Sequence, residues 1–256
     1  MTVSISEQKD ITANTHGIHI QRNIISEENE ANRILAVCHH YSFRDLEDMT
    51  CLYLGDDGDV LINILARNFK KVYTLESDET NPGSSVPSIW GDNIGYFNIA
   101  DDGGFEVDDL SVDVVICDRF YSRVDNPPEL MSEIYRCLKY NGFCYFSAYN
   151  KLSIIEGHYS IPFLSWLPRK LASTILKNRG YAEQYKMKPL SLKNLKKLTD
   201  NFWRHDYIGL IRQNPQVFRI DETSDSGGFR LKAPGRLFKY IYPFLPLWIW
   251  ILTKKK

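Results

Sequence analysis

The amino-acid sequence predicts an α/β protein with a doubly wound, mostly parallel sheet. Three observations carry that prediction. Residues 51–54 and 112–117 are short apolar runs, rich in β-branched or aromatic side chains and bounded by turn residues. That is how strands buried on both faces read. Residues 60–69 and 127–138 each place a helical pattern after such a strand, and a strand, a helix and another buried strand form a parallel crossover unit. The loop after the first run, Gly55-Asp56-Asp57-Gly58-Asp59, stands between strand and helix, the context a nucleotide-binding loop requires.

Taken in chain order, residues 26–45 read as an amphipathic helix carrying Ala31, Ile34, Leu35 and Cys38. Ser26 suits its N-cap, and Glu27 and Glu28 suit the first turn, where the helix dipole favours acids. Asn29 stands where a capping box would need Glu or Gln. The strand at 51–54, the helix at 60–69 and a second strand at 71–76 follow. Pro82, Gly83, Ser84, Ser85, Pro87 and Gly91 mark 77–93 as loop. A third strand spans 94–99 and ends at Ala100-Asp101-Asp102. After the strand at 112–117, Pro127-Pro128 opens a helix on which Leu130, Ile134 and Leu138 share one face. Asn141-Gly142 marks a turn before a strand at 143–147. Residues 154–201 show no strand but two basic helices, 205–212 reads as a strand, and 215–235 is polar. The chain closes on an apolar stretch, 240–252, followed by lysines.

With 256 residues the chain can bury one large core. The expected organisation is a polar, disordered segment at 1–24 and one domain at 25–256 with insertions at 154–201 and 215–243. The start of the chain has no signal-peptide pattern, which implies a cytoplasmic protein. Five cysteines without a Cys-x-x-Cys pair read as buried thiols in a reducing compartment, with no metal site expected. The net charge of −1 conceals a division. Residues 1–150 hold 11 Lys+Arg against 25 Asp+Glu, and residues 151–256 hold 20 against 7. A basic half suits an anionic partner, although solvated helix faces explain such runs equally well. No nucleic-acid recognition motif accompanies the charge, so no nucleic-acid partner is expected.

The wording of residues 112–152 resembles the fourth and fifth strands of class I S-adenosylmethionine-dependent methyltransferases, in particular their type 11-like members. "DVVIC", a later proline, and Ile-Tyr-Arg-Cys-Leu-Lys-Tyr-Asn-Gly carry the likeness. The resemblance implies a Rossmann-like sheet and S-adenosylmethionine as cofactor. Gly55 would then admit the methionine end, since glycine lets the backbone come close. Glu76, ending the second strand, would accept hydrogen bonds from the ribose hydroxyls. Asp101 would meet the adenine amino group, and Asp118, at the end of the fourth strand, faces the same crevice. Each acid also has a plain reading as a solvated strand end. The glycine-rich donor loop is degenerate. Tyr53 stands at the family's acid, Asp57 and Asp59 replace two glycines, and Ser122-Arg123 replaces a frequent Glu-His pair.

Asn150-Lys151-Leu152-Ser153, Gly157-His158-Tyr159 and residues 162–168 resemble a branch whose members look like tailoring enzymes of cell-surface glycans or lipids. That likeness implies O-methylation of a glycan or lipid-linked acceptor, with His158 taking the hydroxyl proton; a structural histidine is the alternative. Tyr149 and Tyr159 read as packing or as a substrate shelf. A different class of function, a non-catalytic member of the fold that binds a partner protein or an anionic membrane surface, fits the degenerate loop. The C-terminal apolar stretch, broken by Pro243 and Pro246, is too short to span a bilayer. The resemblance implies that residues 247–252 are the sheet's last strand, antiparallel and paired with 205–212. The aromatic and basic residues of 229–246, including Arg230, Lys232, Arg236 and Lys239, suit peripheral contact at the inner membrane face.

Overall fold

The computed structural model describes residues 27–55, 59–75, 92–100, 103–157, 159, 161–219 and 235–255. Its strands are β1 (Thr50–Leu54), β2 (Lys71–Leu75), β3 (Ile94–Phe97), β4 (Val112–Asp118), β5 (Leu138–Tyr149), β6 (Phe202–Asp206) and β7 (Leu247–Lys254). They form one sheet in the order β3-β2-β1-β4-β5-β7-β6. The first five pair in parallel, with Cys51 opposite Val114 and Leu54 opposite Cys117, as the two apolar runs predict. β7 runs antiparallel to both β5 and β6. The expected α/β class and its antiparallel last strand are therefore found.

Central position explains the composition of these strands. β1 and β4 lie in the middle of the sheet, and every residue of β4 is buried. The helix at 27–41, α1, contributes Ala31, Ile34, Val37 and Cys38 to the core. α2 (Asp59–Ala66) buries Leu61 and Leu65. α3 (Pro127–Cys137) begins on the two prolines and buries Leu130, Met131, Ile134 and Cys137 on one stripe. All five cysteines are buried free thiols, and burial pushes Cys117 and Cys137 up to about 12.

Three departures from the sequence reading have local causes. α3 stops at Cys137, and β5 begins at Leu138 rather than after a turn at Asn141-Gly142. Leu138 pairs with Val112, then the register slips so that Phe143 faces Val114, leaving residues 139–142 as a bulge. A Cβ on Gly142 would lie 2.6 Å from the Asp113 carbonyl oxygen, so this close approach needs glycine. The buried Asp113 carboxylate, in turn, accepts hydrogen bonds from Arg44 Nη1 (2.9 Å), Lys139 Nζ (2.8 Å) and the Thr50 N–H (3.1 Å). Burial would raise its pKa, but these donors outweigh burial and hold the carboxyl below the usual range.

The second departure is at 205–212. β6 ends at Asp206, and Ile208–Gln213 is a helix, α6. Asp206 Oδ1 accepts the Ile208 N–H at 3.1 Å, a local bond that turns the chain out of the sheet, and Ile208 and Ile211 then bury at helical spacing. The third is β3, which ends at Phe97; Ile99 makes only an isolated bridge to Phe105.

The insertion at 154–201 carries α4 (Arg169–Asn178) and α5 (Leu192–Leu198), as expected. It has a small core of its own made of Ile161, Leu164, Ala172, Leu176, Tyr185 and Met187. From the insertion at 215–243 the structure describes residues 215–219 and a helix, α7 (Gly235–Ile241), with the chain beyond it. The expectations for residues 1–24 and 77–91 lie outside the described residues, as do Arg230 and Lys232. Among the described residues no helix is long and apolar enough to cross a membrane.

Candidate active site

β1 lies between β2 and β4, and the chain leaves β1 toward one side of the sheet and β4 toward the other. In open α/β sheets ligands bind in the crevice that this reversal opens outside the carboxyl ends of the strands. Leu54-Gly55, Asp118-Arg119 and Ser147–Tyr149 end their strands there.

At the end of β1, Tyr53 is buried and its ring folds over Gly55. A Cβ on Gly55 would lie 2.2 Å from the Tyr53 hydroxyl oxygen. The position where the resemblance expects an acid therefore presents a phenol beside the first glycine. That phenol can donate a hydrogen bond to a carboxylate or accept one from an ammonium group.

At the end of β4, the Asp118 carboxylate is fully buried and bonded by Ser147 Oγ and by the Arg119 guanidinium. Arg119 has left-handed backbone (φ 57°), which a non-glycine residue adopts at a cost. Two bonds hold it there. Its N–H lies 3.2 Å from the Ser147 carbonyl oxygen and 3.1 Å from Ser147 Oγ. The conformation turns the guanidinium back over β5, where Nη1 donates to the Tyr149 hydroxyl at 3.2 Å. From α1, Glu30 comes within 3.9 Å of Arg119 and pairs with the buried Arg33. Burial works against the charge of Arg33, but Glu30, Tyr145 and Asp118 together hold its pKa above the ordinary value. The result is an alternating network, Arg33–Glu30–Arg119–Asp118, which binds α1 to the strand ends.

Beyond this network lies a ring of phenols. Burial raises the pKa of Tyr149 against the lowering effect of Arg119, so the side chain is neutral near pH 7. Arg123, just after the short 3-10 turn Phe120–Ser122, is lowered by desolvation and opposed by Tyr149, Tyr159 and Tyr53. Tyr149, Tyr159 and Tyr53 are thus near enough to Arg123 to influence its charge. Gly157 sits against the Tyr149 ring, where a Cβ would come within 2.3 Å of Cδ1. Glu156, also buried, accepts the Tyr159 N–H at 2.6 Å. The Tyr149 hydroxyl can orient a polar acceptor, and Arg123 supplies positive charge near it.

Of the residues predicted from sequence, Gly55 and Asp118 come together at the ends of neighbouring strands. Glu76, Asp101 and His158 lie outside the described residues. Arg119, Arg33, Glu30 and Tyr53 as a lid on Gly55 were not foreseen as parts of one site. The one signal for Arg119 was its place directly after a strand-end acid, and the i,i+3 spacing of Glu30 and Arg33 on α1 is common to many helix pairs. A separate open cleft of about 500 Å³, lined by Tyr140, Trp203 and Lys254 among others, lies at the opposite edge of the sheet, where β5 begins.

Residues 60–146 match the family model of a methyltransferase domain. Among curated proteins none matches the chain by sequence. Three solved structures show its fold. The plantazolicin methyltransferase BpumL, solved with a monoazolic desmethylPZN analogue and SAH, is 14% identical with a TM-score of 0.55, covering 97% of this chain and 91% of its own. The YcgJ protein of Bacillus subtilis is 11% identical with a TM-score of 0.50, over 89% of this chain and 99% of its own. A putative methyltransferase of Haloferax volcanii, in complex with the Trm112 methyltransferase activator, is 13% identical with a TM-score of 0.50, over 90% and 94%. The matched segment runs from α2 through most of β5 and so contains the switch-point strand β4 and the Asp118–Arg119 turn. Residues 60–146 thus match a methyltransferase domain, and the chain around them has the fold of these solved structures.

Proposed function

We propose that the chain methylates an oxygen of a glycan or lipid-linked acceptor, at the inner face of the membrane. The observation that supports it most is the meeting of Gly55 with the Asp118–Arg119 turn at the switch point. S-adenosylmethionine supplies an electrophilic methyl group on a positive sulfur when bound, and its transfer to oxygen is a direct displacement governed by alignment. Gly55 ends β1 where the methionine end would lie, and the Tyr53 hydroxyl that covers it is the group that end would meet there. Glu76 holds the ribose hydroxyls, Asp101 the adenine amino group, and Asp118 steadies the floor of the site through Arg119. The acceptor hydroxyl gives its proton to His158 as the oxygen–carbon bond forms and the carbon–sulfur bond breaks. Tyr149, Tyr159 and Arg123 orient the acceptor. The glycan or lipid class is favoured by the 150–168 segment, whose Asn-Lys-Leu-Ser and Trp-Leu-Pro wording follows β5 directly.

Calorimetry on single variants tests the donor half of this assignment. Glu76→Ala is expected to weaken S-adenosylmethionine binding by about 1–3 kcal/mol, the cost of losing a charged hydrogen-bond partner. Asp101→Ala should cost less. Unchanged affinity in Glu76→Ala would remove the ribose role. For the catalytic role, His158→Ala should lower methyl transfer while leaving donor affinity intact.

A further inference from the structure

We propose that residues 152–171 form a docking platform for an anionic membrane surface. The insertion that contains them already has a closed core, so its remaining large apolar side chains are surplus to its folding. Leu152, Ile154, Ile155, Phe163, Trp166 and Leu171 are each 40–56% exposed. Scattered exposed apolar residues are normal on a protein surface; a contiguous group marks an interaction site. Here contacts within the loop bring Ile154, Ile155, Phe163 and Trp166 together. The Phe163 N–H donates to the Ile154 carbonyl at 2.7 Å, Ile155 bridges to Pro162, and Trp166 Nε1 donates to the Ser153 carbonyl at 2.9 Å. The Phe163 and Trp166 rings meet edge to face with centroids 5.2 Å apart. Phe163 also has left-handed backbone (φ 60°), a strained state that burial does not repay because the ring points outward.

Charge selects the occupant. Residues 151–190 hold seven Lys and Arg against two acids, Glu156 and Glu183, and Glu156 is buried. Arg169 and Lys170 are exposed in the first turn of α4, the end of a helix where the dipole disfavours cations, and no acid shares that turn. Lys151 adjoins Leu152 on the other side. Apolar and aromatic side chains rimmed by lysine and arginine suit the headgroup boundary of an anionic bilayer. The same rim would repel a second copy laid face to face. The platform is also continuous with the crevice, since Gly157 from the same loop packs on Tyr149. A chain docked this way presents the phenols around Arg123 to acceptors held in the membrane. That consequence rests on the lipid-linked reading above, whereas the docking itself does not.

Sedimentation of the full chain with vesicles tests the platform. Vesicles of phosphatidylcholine mixed with phosphatidylglycerol should carry the protein down at low salt, and those of phosphatidylcholine alone much less. The double variant Phe163→Ser/Trp166→Ser should bind about tenfold more weakly or worse, since two large apolar side chains no longer enter the interface. Arg169→Gln/Lys170→Gln should bind more weakly and lose most of the salt dependence. Arg169→Gln/Lys170→Gln should unfold close to the parent because both side chains are exposed, and since Trp166→Ser also removes the bond to Ser153, a further variant, Ile154→Asn, repeats the apolar test at a separate position. Absence of binding at low salt would overturn the proposal. So would binding unchanged in both apolar variants, or a parent dimer that the apolar variants convert to monomer. Vesicle binding that persists in a protein found not to bind S-adenosylmethionine would count against the function proposed above and would support the platform.

Discussion

Replacing Arg33 by alanine is expected to lower the free energy of unfolding by about 3–5 kcal/mol, the range for removing one partner of a buried ion pair. Arg33 is a buried residue of α1, and its partner Glu30 is only partly open to solvent. Without the guanidinium, Glu30 and the fully buried Asp118 share the single cation of Arg119. An unbalanced acid at that depth must either stay charged at a cost or take up a proton. Urea unfolding at neutral pH reads the change as a lower midpoint with an unchanged slope. A loss under about 1 kcal/mol would mean that the pair behaves like a solvated surface contact, and the network would not be what fastens α1 to the strand ends.

Trp250→Ala should cost about the same, 3–5 kcal/mol, for a different reason. Trp250 lies on β7, almost wholly buried, stacked at 6.1 Å on Phe146 and at 6.4 Å on Trp248. Its Nε1 donates to the Tyr242 hydroxyl at 3.2 Å. Removing the indole opens a cavity between β5 and β7 and leaves that phenol with one contact fewer. A cost near that of a surface substitution would contradict the placement of residues 247–254 inside the sheet and would reopen their reading as a membrane-contact segment.

β7 illustrates what the sequence made legible. Its apolar run is too short and too interrupted upstream to cross a bilayer, and its place in the family resemblance gave the strand reading. The central strands were equally plain, because burial on both faces removes the polar alternation that hides other strands. Residues 205–212 misled for the opposite reason. A single Asp206 side chain turns the chain from strand to helix, and such a local bond leaves no periodic trace. The site divides along the same line. Gly55 and Asp118 end recognisable strands and could be named from position. The network of Glu30, Arg33, Arg119 and Tyr149 joins α1, β4 and β5 across more than a hundred positions of sequence. It depends on Arg119 adopting a left-handed backbone that no local pattern announced.

The account turns on whether the site, with Tyr53 folded over Gly55 and a donor loop rich in aspartate, still takes up S-adenosylmethionine. Isothermal titration of the purified full chain with S-adenosylmethionine, and separately with its demethylated product S-adenosylhomocysteine, tests this directly. The account predicts saturable binding of both at one site per chain, weakened in Glu76→Ala and unaffected in Phe163→Ser/Trp166→Ser. Titrations that give no saturable heat with either compound, together with no shift of the thermal midpoint in their presence, would contradict it.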